Sequence, residues 1–460
     1  MPKSLNSPGI YILQKYSIFL QASFLFFIFA VLSFGRSFSI LHLNVFSIPL
    51  FVTEIFLLVS LPILILRRDS FLKLPRAFLL ALSAYFLFGS FYLFQGVISK
   101  NAFALRDIVF CGYILFLPLT LIVFSQERDL RIFLCVILGS NLIGMLVGRL
   151  WIFEIYPSLS WEGFLSQTKN FNLGLSYGIA ASFLISFFTF LKDGRAKLII
   201  LLLLAINFYL ILILGARAVW VGAISLIIYF LSLQKKKFLD MSLIFIPIFL
   251  LVGGVLFYLD FRSPSGADQK EFIVSKVVSL RTLVQEKAGA SRKLSRAGAS
   301  ALTGKYKESY DNLTWRLSVW EQSIAFGLKR PFIGRGFGVY PEYTVRSWKL
   351  AGPKSPGIDS NVTPCHNHFI SVFMKMGVLG LALFLFINAF IFGYGVRYLK
   401  YCKNEFLKCF LTASLGAFVF WHTVAFFFDL IDSPPTSIFL WIITGLIFAV
   451  VRIDKTCRKA

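Results

Sequence analysis

Four side chains in this sequence join a reactive type to a telling position: Arg217 in LGARAVW, Arg316 in WRLSVWEQ, and the pair His366 and His368 in CHNHF. An imidazole titrates at about pH 6.5, so it is the natural base for taking a proton from a hydroxyl near neutrality. Two guanidiniums offer planar forks of N–H donors, which match the oxygens of a diphosphate as lysine does not. Arg217 lies between two apolar segments too close together for a real loop, where an arginine is costly unless it meets water, protein or an anion. The alternative is an arginine that snorkels to mark the interface. Arg316 is one helical turn before Trp320, and on its own would read as a surface charge. A His-x-His pair can also chelate metal, but no Cys or acidic third ligand stands nearby, so the expectation is a metal-free site. The remaining histidines, His42 and His422, read as an outer-loop residue and a residue packed within a span.

Secondary features surround these four. Gly334, Gly336 and Gly338, with Arg335 between the first two, form GRGFG. That is either a glycine turn or, lacking a flanking strand and helix, a weak likeness of a phosphate cradle. Asp429 and Asp432 in FFDLIDSPPT could orient a base or bind a hydroxyl, or could be loop residues before a proline-initiated span.

The elements that must position these groups are mostly membrane spans. The chain has 460 residues, is 57% hydrophobic and 17% aromatic, and contains 54 Phe; its mean hydropathy is +0.77. These values exclude an ordinary soluble domain. Since a span needs about 20 apolar residues, the sequence predicts twelve, near 16–34, 45–66, 77–98, 105–125, 131–150, 172–191, 197–215, 218–233, 239–259, 367–391, 407–427 and 435–451. The net charge of +24 sits mainly in short Lys and Arg runs between alternate spans. That is the positive-inside pattern, which places both termini in the cytoplasm and argues against a nucleic-acid partner. The six Cys show neither metal spacing nor a disulfide framework.

The predicted fold class is therefore an all-α polytopic membrane protein with one large, mainly helical outer loop. The expected division is 1–259 (nine spans), 260–364 (the loop) and 365–460 (three spans and a tail). Within the loop, Leu313, Leu317, Trp320, Ile324 and Leu328 predict a short helix capped by Asp311 and Asn312 and ended by Pro331. The stretch 281–307 is basic, and reads either as a flexible linker or as a face for an anionic headgroup or sugar phosphate. Trp151 to Phe171 fits an amphipathic segment resting in the headgroup layer.

Taken together, Arg217 in ARAVW, WRLSVWEQSIAFGLKRPFIGRGFGVY, the HN of CHNHF, and MGVLGL with Gly377 and Gly380 resemble the O-antigen ligase and O-antigen polymerase superfamily. The family pattern has an Arg at the start of the outer-domain helix and a His-Asn directly before the next span. The resemblance thus implies Arg217 and Arg316 as the donor diphosphate clamp and His366 as the catalytic base, with His368, Trp320 and Arg335 as secondary candidates. It implies a metal-independent, inverting glycosyltransferase without cofactor in the bacterial inner membrane, its active site facing the periplasm. The implied donor is an undecaprenyl-diphosphate-linked glycan, and the expected acceptor is a hydroxyl of lipid A-core. A polymerase or a protein O-oligosaccharyltransferase of the same superfamily is the near alternative, and Arg316 with Gly327 has a spacing associated with some polymerases. A lipid-linked glycan flippase is the alternative of another class.

Overall fold

The computed structural model describes residues 8–39, 41–45, 48–99, 101–152, 170–214, 216–261, 304–341, 343, 365–430 and 434–458. The chain is an all-α polytopic membrane protein, and ten helices among the described residues are long and apolar enough to cross a bilayer. The longer helices are α1 (Pro8–Phe34), α2 (Val52–Leu66), α3 (Arg76–Ile98), α4 (Phe116–Val123), α5 (Glu127–Ile152), α6 (Asn170–Phe190), α7 (Gly194–Ile213), α8 (Arg217–Phe261), α9 (Gly304–Gly327), α10 (His368–Leu399), α11 (Glu405–Ala425) and α12 (Pro434–Cys457). Local chemistry sets several of their starts. Asp193, Asn367 and Asn404 each accept a backbone N–H from the first turn of α7, α10 and α11, satisfying donors that a helix start leaves open.

Four of the twelve expected spans are built differently. Instead of one span over 45–66 there is a two-stranded antiparallel hairpin, β1 (His42–Val45) and β2 (Ile48–Phe51), followed by α2. With 15 residues, α2 is about 22 Å long, short of the roughly 30 Å of a hydrocarbon core. The span expected over 105–125 is present at Phe103–Val123 but is built from short pieces, Ala102–Arg106, Val109–Gly112 and a 3-10 turn, leading into α4. The spans expected at 218–233 and 239–259 are the two halves of α8, which departs from helical geometry at Gln234 (φ −137°, ψ 42°). The chain folds back there. The Trp220 indole donates to the Ile211 carbonyl at 2.8 Å, and Gly253 lies against the Tyr209 ring of the same helix α7. On a straight helix residues 220 and 253 would be about 50 Å apart.

At the centre of the bundle, α11 packs against α6, α8 and α12. Lipid is as apolar as leucine, so close backbone approach and hydrogen bonds must hold such seams. Along α6, the Ser182 and Ser186 hydroxyls donate to the Ala413 and Cys409 carbonyls of α11, each at 2.7 Å. Gly416 leaves room for the Ser182 side chain, and Gly178 for the Phe420 ring. Asn141 of α5 and Asn207 of α7 exchange amide hydrogen bonds of 2.9 and 3.0 Å.

Candidate functional site

Helix α9 begins well before the expected cap, so Asp311 and Asn312 lie inside it. Its packed face is also not the expected apolar stripe. Val319 and Ser323 are fully buried, and Gly327 fits against Phe373 and the backbone of Met374, whereas Ile324 and Leu328 are exposed. Beside a membrane an outward leucine need not meet water, so shape rather than hydropathy selects the face that packs on α10. That choice sets Trp315, Arg316 and Trp320 toward the turn 426–430 that follows α11.

Around this turn two of the predicted residues, Arg316 and His366, meet. The Arg316 guanidinium lies 4.7 Å over the Phe428 ring and donates through Nη1 to the Phe427 carbonyl at 3.3 Å. The His366 ring sets its edge against the other residues of the cluster, with centroids 6.0 Å from Phe428 and 5.5 Å from Trp315. His366 takes φ +55°, a left-handed conformation uncommon outside glycine although less so for His. The chain thereby turns sharply between Cys365 and the Asn367 cap of α10. Arg217 opens α8, and its charge reaches Arg316: burial first, and then the Arg217 guanidinium, hold Arg316 below the usual arginine range, at about 10. Trp320 stands edge-on to Phe426 at 6.1 Å, and its indole N–H meets no acceptor among the described residues.

His368 lies inward, at 0% exposure, with its ring among Phe110, Phe369, Phe384 and Trp421. Its Nδ1 is 3.7 Å from the Asp429 carboxylate, which also accepts the Ser371 hydroxyl. Asp429 thus faces His368 rather than His366. Burial pushes its carboxyl up to about 6, against the Ser371 hydroxyl and the Lys375 charge, which favour the ionised form. Asp432, the basic stretch 281–303 and most of the segment from Trp151 to Phe171 lie outside the described residues.

The GRGFG segment has a defined structural task. Helix α10 breaks at Gly377 (φ +65°, ψ −167°), which separates the N–H groups of Val378 and Leu379 from the Met374 and Lys375 carbonyls four residues earlier. The turn takes over all four groups. Val378 and Leu379 donate to the Pro331 and Phe332 carbonyls at 2.8 and 3.1 Å, while Arg335 and Gly336 donate to the Met374 and Lys375 carbonyls at 2.9 and 3.0 Å. Gly334, Gly336 and Gly338 all have positive φ, and a Cβ on Gly334 would overlap the Lys375 carbonyl. The Arg335 guanidinium rests 4.6 Å over the Phe326 ring of α9. Broken helices inside a membrane protein require such replacement partners.

Sequence reasoning passed over Lys375, Asp107 and Tyr340. Lys375 sits in an apolar run, FMKMGVLG, and Asp107 in another, ALRDIVF. Their side chains are both at 0% exposure and form an ion pair. A charge inside an apolar run is the signal that would have drawn attention to each.

Residues 180–385 match a protein family described as O-antigen ligase. No curated protein matches the chain. The matched stretch, somewhat less than half of the chain, includes Arg217, Arg316, His366 and the break in α10, and over it the chain is similar to the O-antigen ligase-like superfamily.

Proposed function

We propose, from this similarity, that the chain is a membrane glycosyltransferase that moves an undecaprenyl-diphosphate-linked O-antigen glycan onto a hydroxyl of lipid A-core. The observation that carries the reading is the shared aromatic wall at Phe428, with Arg316 over its face, His366 at its edge and the Arg217 charge within reach. In the reaction the acceptor oxygen attacks the anomeric carbon and its proton passes to His366. The bond from that carbon to the diphosphate breaks, and the electron pair leaves with the phosphate. Negative charge grows there, and Arg217 and Arg316 stabilise it where little water competes. Because the glycosyl-diphosphate bond is already activated, the step needs no nucleotide or metal. Direct displacement inverts the anomeric centre.

On this reading the site faces the periplasm, both termini are cytoplasmic and the membrane is the bacterial inner membrane. The basic ends of alternate spans support that orientation. A flippase would line a transmembrane path with charge. The buried Lys375–Asp107 pair is instead internally neutralised and bonded to the GRGFG turn, which favours chemistry at one face.

The test uses purified protein in vesicles with labelled lipid-linked glycan and either lipid A-core or a second lipid-linked glycan. Label on lipid A-core is the expected result. Label on the second carrier alone would make the chain a polymerase. Unchanged transfer by His366→Ala would remove the base from the mechanism.

A further inference from the structure

We infer that Lys375 and Asp107 are positioning residues for the proposed transfer, forming a buried latch that fixes the Arg316 helix relative to His366. This inference rests on the catalytic reading above. Asp107 is the hub. One carboxylate oxygen accepts the Gly338 N–H at 2.7 Å, and the other accepts the Tyr340 hydroxyl at 2.9 Å and the Lys375 ammonium. The ammonium also donates to the Tyr340 hydroxyl at 3.2 Å and lies 4.8 and 4.4 Å over the rings of Phe110 and Tyr340. From the same loop Asn101 donates to the Gly338 carbonyl at 3.0 Å.

The latch sits where it can act on the site. Lys375 gives its backbone carbonyl to the turn and its side chain to Asp107, so the segment 331–340 is held at the α10 break on one side and by the 101–107 loop on the other. That segment follows α9, which carries Arg316, in the chain and is bonded to α10, which begins two residues after His366. Stability alone gives little reason for such a pair, since apolar side chains of similar volume often serve a buried site equally well. What an apolar pair cannot do is accept the Gly338 N–H and the Tyr340 hydroxyl at fixed points.

The experiment compares four variants of the full-length protein in vesicles, with lipid-linked glycan and lipid A-core as substrates, and follows amide exchange in parallel. Asp107→Leu/Lys375→Met is expected to melt within a few degrees of the parent. It should lose about 10–100-fold in kcat with a smaller change in donor KM, and exchange faster at 334–340 and 315–327. The swapped pair Asp107→Lys/Lys375→Asp is expected to stay impaired, because an ammonium cannot accept the Gly338 N–H. Lys375→Arg should recover most of the rate. Tyr340→Phe, which deletes one bond at the hub, serves if the double variants fail to fold, and is expected to lower kcat at unchanged melting temperature. Parent kcat and exchange in the apolar double variant, or in Tyr340→Phe if that alone folds, would overturn the latch, as would full recovery by the swap. Faster exchange in the variants alongside full transfer by His366→Asn would leave the latch standing and overturn the catalytic reading it serves.

Discussion

At the break in α10 four backbone groups of the helix are caught by the segment 331–336, and the Lys375 ammonium is held by a carboxylate, a hydroxyl and two rings. Around His366 the cations are held differently. Among the described residues, one of the five N–H donors of Arg316 meets an acceptor, a carbonyl at 3.3 Å, and the rest of the guanidinium leans on an aromatic face. The first region has its donors and acceptors matched internally, so it can be rigid but has little to offer a ligand. In the second, Arg316 Nε meets no acceptor among the described residues, and on the proposed function this is where the donor diphosphate binds. On that reading a brace and a binding site, built on the same two helices, are told apart by how completely their polar groups are satisfied.

The contrast can be broken first at the brace. Gly377→Val places a β-branched side chain at φ +65° and against the Phe332 carbonyl, and is expected to cost more than about 4 kcal/mol. Yield and melting temperature in detergent measure it. At the site, Arg316→Lys keeps the charge but loses the fork. Transfer is expected to fall about 10²–10³-fold with the melting temperature unmoved, and an equal loss of both would make Arg316 a structural residue.

Asp429 sharpens the boundary between the two regions. Burial raises its pKa from 3.8 in the unfolded chain to about 6 in the fold, so the fold prefers the neutral acid. Its contribution to stability is greatest below pH 3.8 and is lost as pH rises through about 6. Relative to Asp429→Asn, the parent should therefore lose up to about 3 kcal/mol between pH 4 and pH 7, as read from paired denaturation curves. The smallest effect belongs to Gly393→Ala, in the same helix as Gly377 but with open space around it. It is expected to change stability by no more than about 1 kcal/mol.

Much of this was legible in the sequence because membrane spans announce themselves by length and hydropathy. Arg217 and His366 stood out as candidates because a charge or an imidazole at a span end has few ordinary uses, whereas Arg316 stood out only in their company and through the family resemblance. The stripe on α9 misled, since Ile324 and Leu328 carry the right period yet point outward. Apolar periodicity marks a buried face only where the other side is water. The span expected over 45–66 failed because its first half pairs as a hairpin, with His42 opposite Phe51. A hydropathy window cannot distinguish an apolar strand from half of a helix. The latch was out of reach for a different reason: Asp107 and Lys375 are 268 residues apart, and no local pattern joins them. The glycines of GRGFG signalled a turn, but their role as replacement partners for a broken helix depends on the φ of Gly377.

The most direct measurement is transfer by His366→Asn, with donor binding determined on the same preparation. Asn tolerates the left-handed backbone at this position better than Ala does, so the fold is preserved while the base is removed. Donor affinity is expected to stay within about threefold of the parent and the transfer rate to fall about 10²–10⁴-fold. Transfer at the parent rate, with donor still bound, would contradict the role of His366 as the base.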